Sequence, residues 1–347
     1  MNHSFADIVI TGYSAITPAG IGISPLTRLL DSGGDALTPV PCDVTGTARY
    51  RWGKADHFKV SEFMSPMKAR KMDRSSQFAV VAAGLALKDA AIDMKELLPD
   101  RVGIAMGSGF CGVANSAEFL AGYFKDGTAG MVPMIFPNTV PNAPASNASI
   151  EYGFKGPNVT LIQRFCSAES AIASACRFIQ EGRADIMLAG GVDELTPLLM
   201  QGLAALGQVK PDSFSYGEGC GLLVLESLLH ARKRGADIRG ELLAIRSIGQ
   251  IIPGHEQEGI NLLAGPASGF RRVSLSGCAA DLDALRGLTA GSECLELGQI
   301  IGRSLAMGGT AVATLLASLT AAEKGLHLSA SPQGPCYAVD IRGGSPV

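Results

Sequence analysis

The chain has 347 residues, 47% of them hydrophobic and 18% charged, which supplies apolar material for one large core or two modest ones. Its 29 basic and 32 acidic residues leave a net charge of −3, so nothing in the charge balance calls for nucleic acid or an anionic membrane surface as a partner. Forty-three glycines against a single tryptophan suit a tightly turned α/β protein with close backbone approaches.

Short apolar runs stopped by glycine mark buried strands, and they alternate with helical stretches. Ile8-Val9-Ile10 is the first strand, ended by Thr11-Gly12. Residues 75–91 carry apolar side chains at helical spacing, with Pro99 closing the segment. A second strand, 102–106, runs into Gly107-Ser108-Gly109, and a third covers 159–162. An Ala-rich helix is expected over 167–181, terminated by Gly182, then a fourth strand over 185–189 and a fifth over 221–226. A helix with a basic end follows over 227–234. The second half repeats this grammar more thinly: strands at 242–248, 272–275 and 293–297, a helix over 307–324, and a closing strand at 336–341. Strand–helix alternation implies a layered α/β sheet. No strong linker divides the chain, so residues 1–240 and 241–347 are read as two lobes of one interlocked unit.

The eight cysteines, at 42, 111, 166, 176, 220, 278, 294 and 336, form no C-x-x-C pair and suit neither a zinc site nor a disulfide framework. The first residues lack the basic start and apolar core of a signal peptide, and no apolar run reaches the ~18–20 residues of a spanning helix, so a cytoplasmic location is expected. No metal or cofactor is expected.

Several segments together resemble the elongating β-ketoacyl-acyl-carrier-protein synthases of the thiolase superfamily. Val9-Ile10-Thr11-Gly12 with Thr17-Pro18-Ala19-Gly20 is similar to that family's first strand and turn, and Lys71-Met72-Asp73 to its K-M-D motif. Gly107-Ser108-Gly109, Gly156-Pro157-Asn158 and residues 184–191 look like its core loops, and Gly217-Glu218-Gly219-Cys220-Gly221 like its G-[DE]-G-A-G strand. The resemblance covers most of residues 7–250 and implies a thiolase-type layered fold of two related β-α-β halves, here with the C-terminal half shortened. Family members place a cysteine nucleophile at a helix N-terminus, where the dipole favours thiolate, and add two histidines from the C-terminal lobe.

In this chain those positions are degenerate. Counting forward from Gly156-Pro157 and back from Ala189-Gly190-Gly191 puts Phe165 at the nucleophile position, with Cys166 one residue beyond and turned ~100° around the helix. Arg303 occupies the second histidine's position and Gly298 that of a lysine five residues earlier, while Ser276 takes the first histidine's position. His255, in a preceding loop, reads as a surface residue rather than a substitute, and His230 as a helix-surface residue beside basic neighbours. Lys68, Arg70, Lys71 and Arg74 form a basic cluster that reads as a solvated helix start. The loop between Leu203 and Phe214, the segment around Ser276-Gly277-Cys278-Ala279 and the family's final Gly-rich gating loop are cut down, with 340–344 as a remnant of the last.

Such a set implies a chain-length-factor-like, non-catalytic subunit without activity alone. It would pair with an active ketosynthase as a heterodimer and meet acyl carrier protein through that partner. The pathway would be of the polyketide, aryl polyene or fatty-acid-like type. Many chain length factors carry Gln at the lost nucleophile, and Phe165 departs from that pattern. Phe136-Pro137-Asn138 resembles the family's interface segment, Met134 and Ile135 match residues that reach into the partner's pocket, and Phe110 falls at an acyl-pocket position. Two alternatives stay open: an atypical acyl-transfer enzyme using Cys166, and a homodimeric module that binds an acyl group or a carrier protein.

Overall fold

The computed structural model describes every residue except 1, 47–48, 212–214, 253, 265–268, 278–284, 287–288, 290, 333 and 345–347, with the backbone alone for 2–6 and 264. The principal strands are β1 (Asn2–Thr17), β2 (Val102–Ser108), β3 (Asn158–Leu161), β4 (Ile186–Asp193), β5 (Gly219–Ser227), β6 (Gly240–Ile248), β7 (Arg272–Gly277), β8 (Glu293–Glu296), β9 (Lys324–Ala330) and β10 (Cys336–Gly343). The helices that matter here are α1 (Arg74–Asp89), α2 (Val113–Asp126), α3 (Ala143–Tyr152), α4 (Ser167–Gln180), α5 (Pro197–Ala205), α6 (Leu228–Lys233) and α7 (Gly308–Ala317).

The strands form one hydrogen-bonded path in the order β8-β7-β9-β10-β6-β1-β5-β4-β2-β3. That path is a repeat. In the first half β3, β2 and β4 run parallel, and β5 and β1 follow antiparallel. In the second half β8, β7 and β9 run parallel, and β10 and β6 follow antiparallel. Each half therefore lays its five strands in the same relative order, and the antiparallel β1–β6 pair joins them.

Two helices lie at the centre and are buried nearly all round. α4 is Ala- and Ser-rich and α7 runs Gly-Gly-Thr-Ala-Val-Ala-Thr-Leu-Leu-Ala, so both present small side chains on several faces. Small residues let backbones touch. A Cβ on Gly107 in β2 would lie 2.3 Å from the Ser167 backbone of α4, and one on Gly221 in β5 would lie 2.3 Å from Thr310 N of α7. The apolar layer around these helices takes Ile8, Ile10, Ile172, Leu223, Val312, Leu315 and Val339, and α1 covers the other face of the first half with Phe78, Val81 and Leu87.

Most sequence-predicted elements have a counterpart, with two shifts. The helix expected over 307–324 ends at Ala317, and β9 begins at Lys324, where the chain has turned through Ala322 at φ 67°. Residues 340–343, expected as a loop remnant, belong to β10, where Asp340 pairs with Ala244 of β6 and its carboxylate takes a buried ion pair from Arg246, NH1 at 2.9 Å. Cys278, Ala279 and Phe214 lie outside the described residues.

Candidate functional site

β3 ends at Leu161, four residues before Phe165. The chain leaves it through Ile162-Gln163-Arg164, turns with Arg164 in the left-handed region (φ 52°) and enters α4 at Cys166. Ser167 holds the turn, since its Oγ donates to Arg164 O at 2.7 Å and accepts Gln163 N–H at 2.9 Å. This turn carries Phe165 inward, leaving it 6% exposed.

Phe165 is not alone there. It lies with Trp52, Leu195, Met200, Leu203 and Val209, and its ring stacks on Tyr216 with centroids 6.2 Å apart and planes 22° apart. Phe110, at the end of the Gly107-Ser108-Gly109 loop, meets the same Tyr216 edge-on at 5.7 Å. The two aromatics singled out in the sequence thus converge on one apolar cluster through a third, which the sequence reading missed.

Cys166 points elsewhere. Its Sγ is 3.2 Å from Ser329 Oγ and 3.1 Å from the carbonyl of Pro335, with no exposure. Burial, then the Glu169 carboxylate, push its thiol well above the ordinary range. A nucleophilic cysteine needs the opposite conditions, an accessible and stabilised thiolate. The β9–β10 turn that carries Pro335 also braces the segment before α4, with Ser331 Oγ donating to Gln163 O at 3.2 Å and Arg164 Nη1 to Pro332 O at 2.8 Å.

Arg303 is 8% exposed. Its backbone bridges Ser215 and Gly217 with two 2.7 Å hydrogen bonds. Gly298 makes room for it: a Cβ there would sit 2.8 Å from Arg303 Cγ. The two residues singled out in the sequence are therefore physically coupled. Just beyond, Asp193 accepts four hydrogen bonds, from Gly109 N (2.8 Å), Phe110 N (2.7 Å), Ser304 Oγ (3.0 Å) and Ala306 N (3.0 Å), tying the Phe110 loop to the Arg303 segment. Burial nevertheless pushes its carboxyl up to about 6.

Ser276 is buried and donates to Glu169 Oε1 at 3.2 Å. The same oxygen accepts from His327 Nε2 at 2.8 Å, and His327 Nδ1 meets Ser274 Oγ at 2.9 Å. Serine, histidine and carboxylate thus stand in the order of a hydrolase triad. Ser274, His327 and Glu169 all have no exposure, so no substrate reaches them, and the arrangement serves as a polar bond between α4 and the second half of the sheet. Glu169 Oε2 has no hydrogen-bond partner among the described residues.

The remaining candidates separate by burial. In the 3-10 stretch Pro133–Asn138, Met134 is 72% and Phe136 58% exposed, while Ile135 is half-buried and Pro137 exposed. Asn138 turns inward and anchors the stretch, its Nδ2 donating to Lys71 O at 3.0 Å. Phe136 rests on Phe119 of α2, whose Leu120, Tyr123 and Phe124 continue an exposed apolar strip. His255 is exposed, 3.4 Å from Glu258. His230 instead contacts the buried Glu226 at 2.7 Å. Arg74 is no solvated residue of the basic cluster, for it donates to buried Glu218 from Nε (3.1 Å) and NH2 (2.7 Å), and Lys68 pairs with Glu151 at 2.7 Å. Among the described residues no group of three or more potential metal ligands occurs, and no helix is long and apolar enough to cross a membrane.

The chain is 29% identical over 259 residues to 3-oxoacyl-[acyl-carrier-protein] synthase 2 of Staphylococcus aureus (strain COL), covering 70% of this chain and 63% of that protein. It is 31% identical over 254 residues to the enzyme of the same name from Synechocystis sp., covering 68% and 61%. The chain thus matches less than two thirds of these relatives' length. Among solved structures it resembles a β-ketoacyl synthase from Burkholderia phymatum STM815 (TM-score 0.84, 20% identity, covering 98% of this chain and 100% of that one). The ishigamide ketosynthase/chain length factor gives a TM-score of 0.81 at 20% identity, covering 98% and 100%. These structures carry the thiolase-type layered fold expected from the sequence. Residues 6–231 match the family described as Beta-ketoacyl synthase, N-terminal domain, and the chain belongs to the β-ketoacyl synthase family.

Proposed function

We propose that the chain is the non-catalytic partner of an active ketosynthase, a chain-length-factor-like subunit that shapes the acyl pocket of a heterodimer in polyketide, aryl polyene or fatty-acid-like biosynthesis. The observation that carries this reading is Phe165. Acyl transfer through a covalent thioester needs an activated nucleophile at that point, and here a buried phenyl ring stacks on Tyr216 instead. The surrounding positions support it. Arg303 stays protonated and cannot take a proton, and Ser276 is spent on Glu169. Cys166 lies inside the core with its thiol held neutral, so the acyl-transfer alternative gains nothing from the geometry.

The exposed strip of Met134 and Phe136, continued by Leu120 and Phe124, supports a protein partner. It includes residues of the segment that resembles the family's interface, and β3 is one of the two ends of the sheet path among the described residues. Carrier protein would then dock through the active subunit. The test is co-expression of the tagged chain with the ketosynthase encoded nearest to it, read by size exclusion and mass spectrometry. A one-to-one complex is expected, with condensing activity that needs the partner's cysteine and survives Cys166→Ala here. Met134→Asp should release the partner while leaving this chain folded. A lone homodimer that takes up an acyl group on Cys166 overturns the proposal.

A further inference from the structure

Residues 113–137 form an arm whose two ends meet. The chain leaves the body of the protein at Gly112, in the left-handed region (φ 79°), and returns at Thr139. The two roots touch, since a Cβ on Gly112 would lie 2.8 Å from the Thr139 backbone. Both are fixed to the body. Gly109 and Phe110 give their N–H groups to buried Asp193, and buried Asn138 donates to Lys71 O. Between the roots the arm holds α2, a 3-10 turn over Gly127–Gly130 and most of the Pro133–Asn138 stretch, and none of residues 113–137 is buried.

Polar links gather at the root. Ala114 N–H donates to Glu194 Oε1 at 3.4 Å, Ser116 Oγ to Thr139 O at 3.1 Å and Thr139 Oγ1 to Phe136 O at 2.8 Å. From Ala117 to Ile135 no hydrogen bond or ion pair reaches the body among the described residues, and Lys125 pairs only with its neighbour Asp126. Farther out the arm packs on itself. Phe119 of α2 meets Phe136 of the returning stretch with centroids 5.5 Å apart, and Gly122 lies against Gly130, where a Cβ on either would stand 2.1 Å from the other's carbonyl oxygen. α2 has 14 residues, a length at which an isolated helix is marginal in water, and the burial that normally sustains such a helix is missing. α4 has the same length and ten buried residues. What the arm does carry is exposed apolar surface, on Leu120, Tyr123, Phe124, Val132, Met134 and Phe136.

We infer that residues 113–137 are an order–disorder arm, which melts and reforms as one unit while the body stays folded, and which is held in order when the partner subunit covers its apolar strip. The opening is independent of the proposed function. That an active ketosynthase is what closes the arm rests on that reading.

The test is hydrogen exchange read by mass spectrometry on the full chain, alone and with the co-expressed ketosynthase. Alone, amides of 113–137 should be protected no more than about tenfold, against about a thousandfold or more in α4. Brief trypsin treatment should cut first after Lys125. Phe119→Ala removes the ring on which Phe136 rests and leaves the body untouched. It should bring α2 and 131–137 together to free-peptide exchange rates, with exchange in α4 and the urea midpoint unchanged. Bound ketosynthase should slow 113–137 about tenfold or more. Protection equal to that of α4 in the free chain, a Phe119→Ala effect confined to one limb of the arm, or a bound ketosynthase that leaves 113–137 unchanged overturns the inference. Failure of the ketosynthase to bind counts against the proposed function instead, and exchange in the free chain then decides whether the arm opens.

Discussion

Truncating Phe165 to alanine tests whether this side chain fills the apolar cluster around Tyr216. The ring is 6% exposed and touches Tyr216 and a cluster that includes Leu195, Met200 and Leu203. Returning a buried phenyl to water forgoes about 1.5–3 kcal/mol of transfer free energy. The stacked contact on Tyr216 adds about 0.5–1.5 kcal/mol. Tyr216 is also wedged by Phe110 from the other side, so collapse into the space is hindered and a cavity term remains. Together these place the loss at about 3–5 kcal/mol, the range of buried Phe→Ala substitutions. Reversible urea unfolding of the parent chain, Phe165→Ala, Tyr216→Ala and the double variant gives both the loss and the pair's coupling. A loss below about 1 kcal/mol, or no coupling between the two rings, refutes the packing argument. It would mean that the ring stands in a space the rest of the chain does not need filled.

The cysteines should separate cleanly by burial: brief native-state iodoacetamide treatment labels exposed Cys42 and Cys294 and spares Cys166, read by peptide mass spectrometry. His327→Leu strips Glu169 of its strongest donor and should cost about 3–5 kcal/mol in urea unfolding, whereas His327→Gln, which keeps an N–H, should cost less. Glu226 makes stability acid-sensitive. Burial raises its carboxyl, but hydrogen bonds from Arg234, His230 and Thr11 outweigh that. Its folded value of about 2 lies below the ordinary 4.5, so its contribution is complete above about 4.5 and is lost as the pH falls toward 2. That contribution is about 3 kcal/mol. Denaturant midpoints measured across that window should fall less steeply for Glu226→Gln than for the parent chain.

Strands of the first half were legible because they are short, largely apolar runs, three of them ended by a glycine turn, and the structure keeps each of them. The helices α2 and α3 were not. α2 has no buried residue, and α3 mixes Ala, Ser, Asn and Pro with almost no apolar stripe, so neither gives a helical period. β9 was missed: the expected helix was carried to Lys324, past its true end at Ala317, and the Gly325-Leu326-His327-Leu328-Ser329-Ala330 stretch that follows was given no element. At the site, Phe165, Phe110, Ser276 and Arg303 could be named from spacing within the family pattern. Tyr216 and the Glu169–His327 pair could not. Glu169 and His327 are 158 residues apart, and each reads locally as an ordinary polar residue of a helix or a strand. Only a fold that brings α4 against the second half of the sheet pairs them.

The position of β1 at the middle of the sheet sets an order of events during synthesis. Ile8, Val9 and Ile10 leave the ribosome early, but their neighbours are Glu226, Leu225 and Ser227 on one side and residues of β6, beginning at Gly240, on the other. More than 200 residues must follow before either flank exists. At a synthesis rate of roughly 5–20 residues per second, this apolar strand waits about 10–40 s without its pairing partners. β1 is thus made well before the strands that seat it. In that interval the nascent chain carries an apolar strand with neither neighbour in place, and yield in cells should depend on whatever shields it.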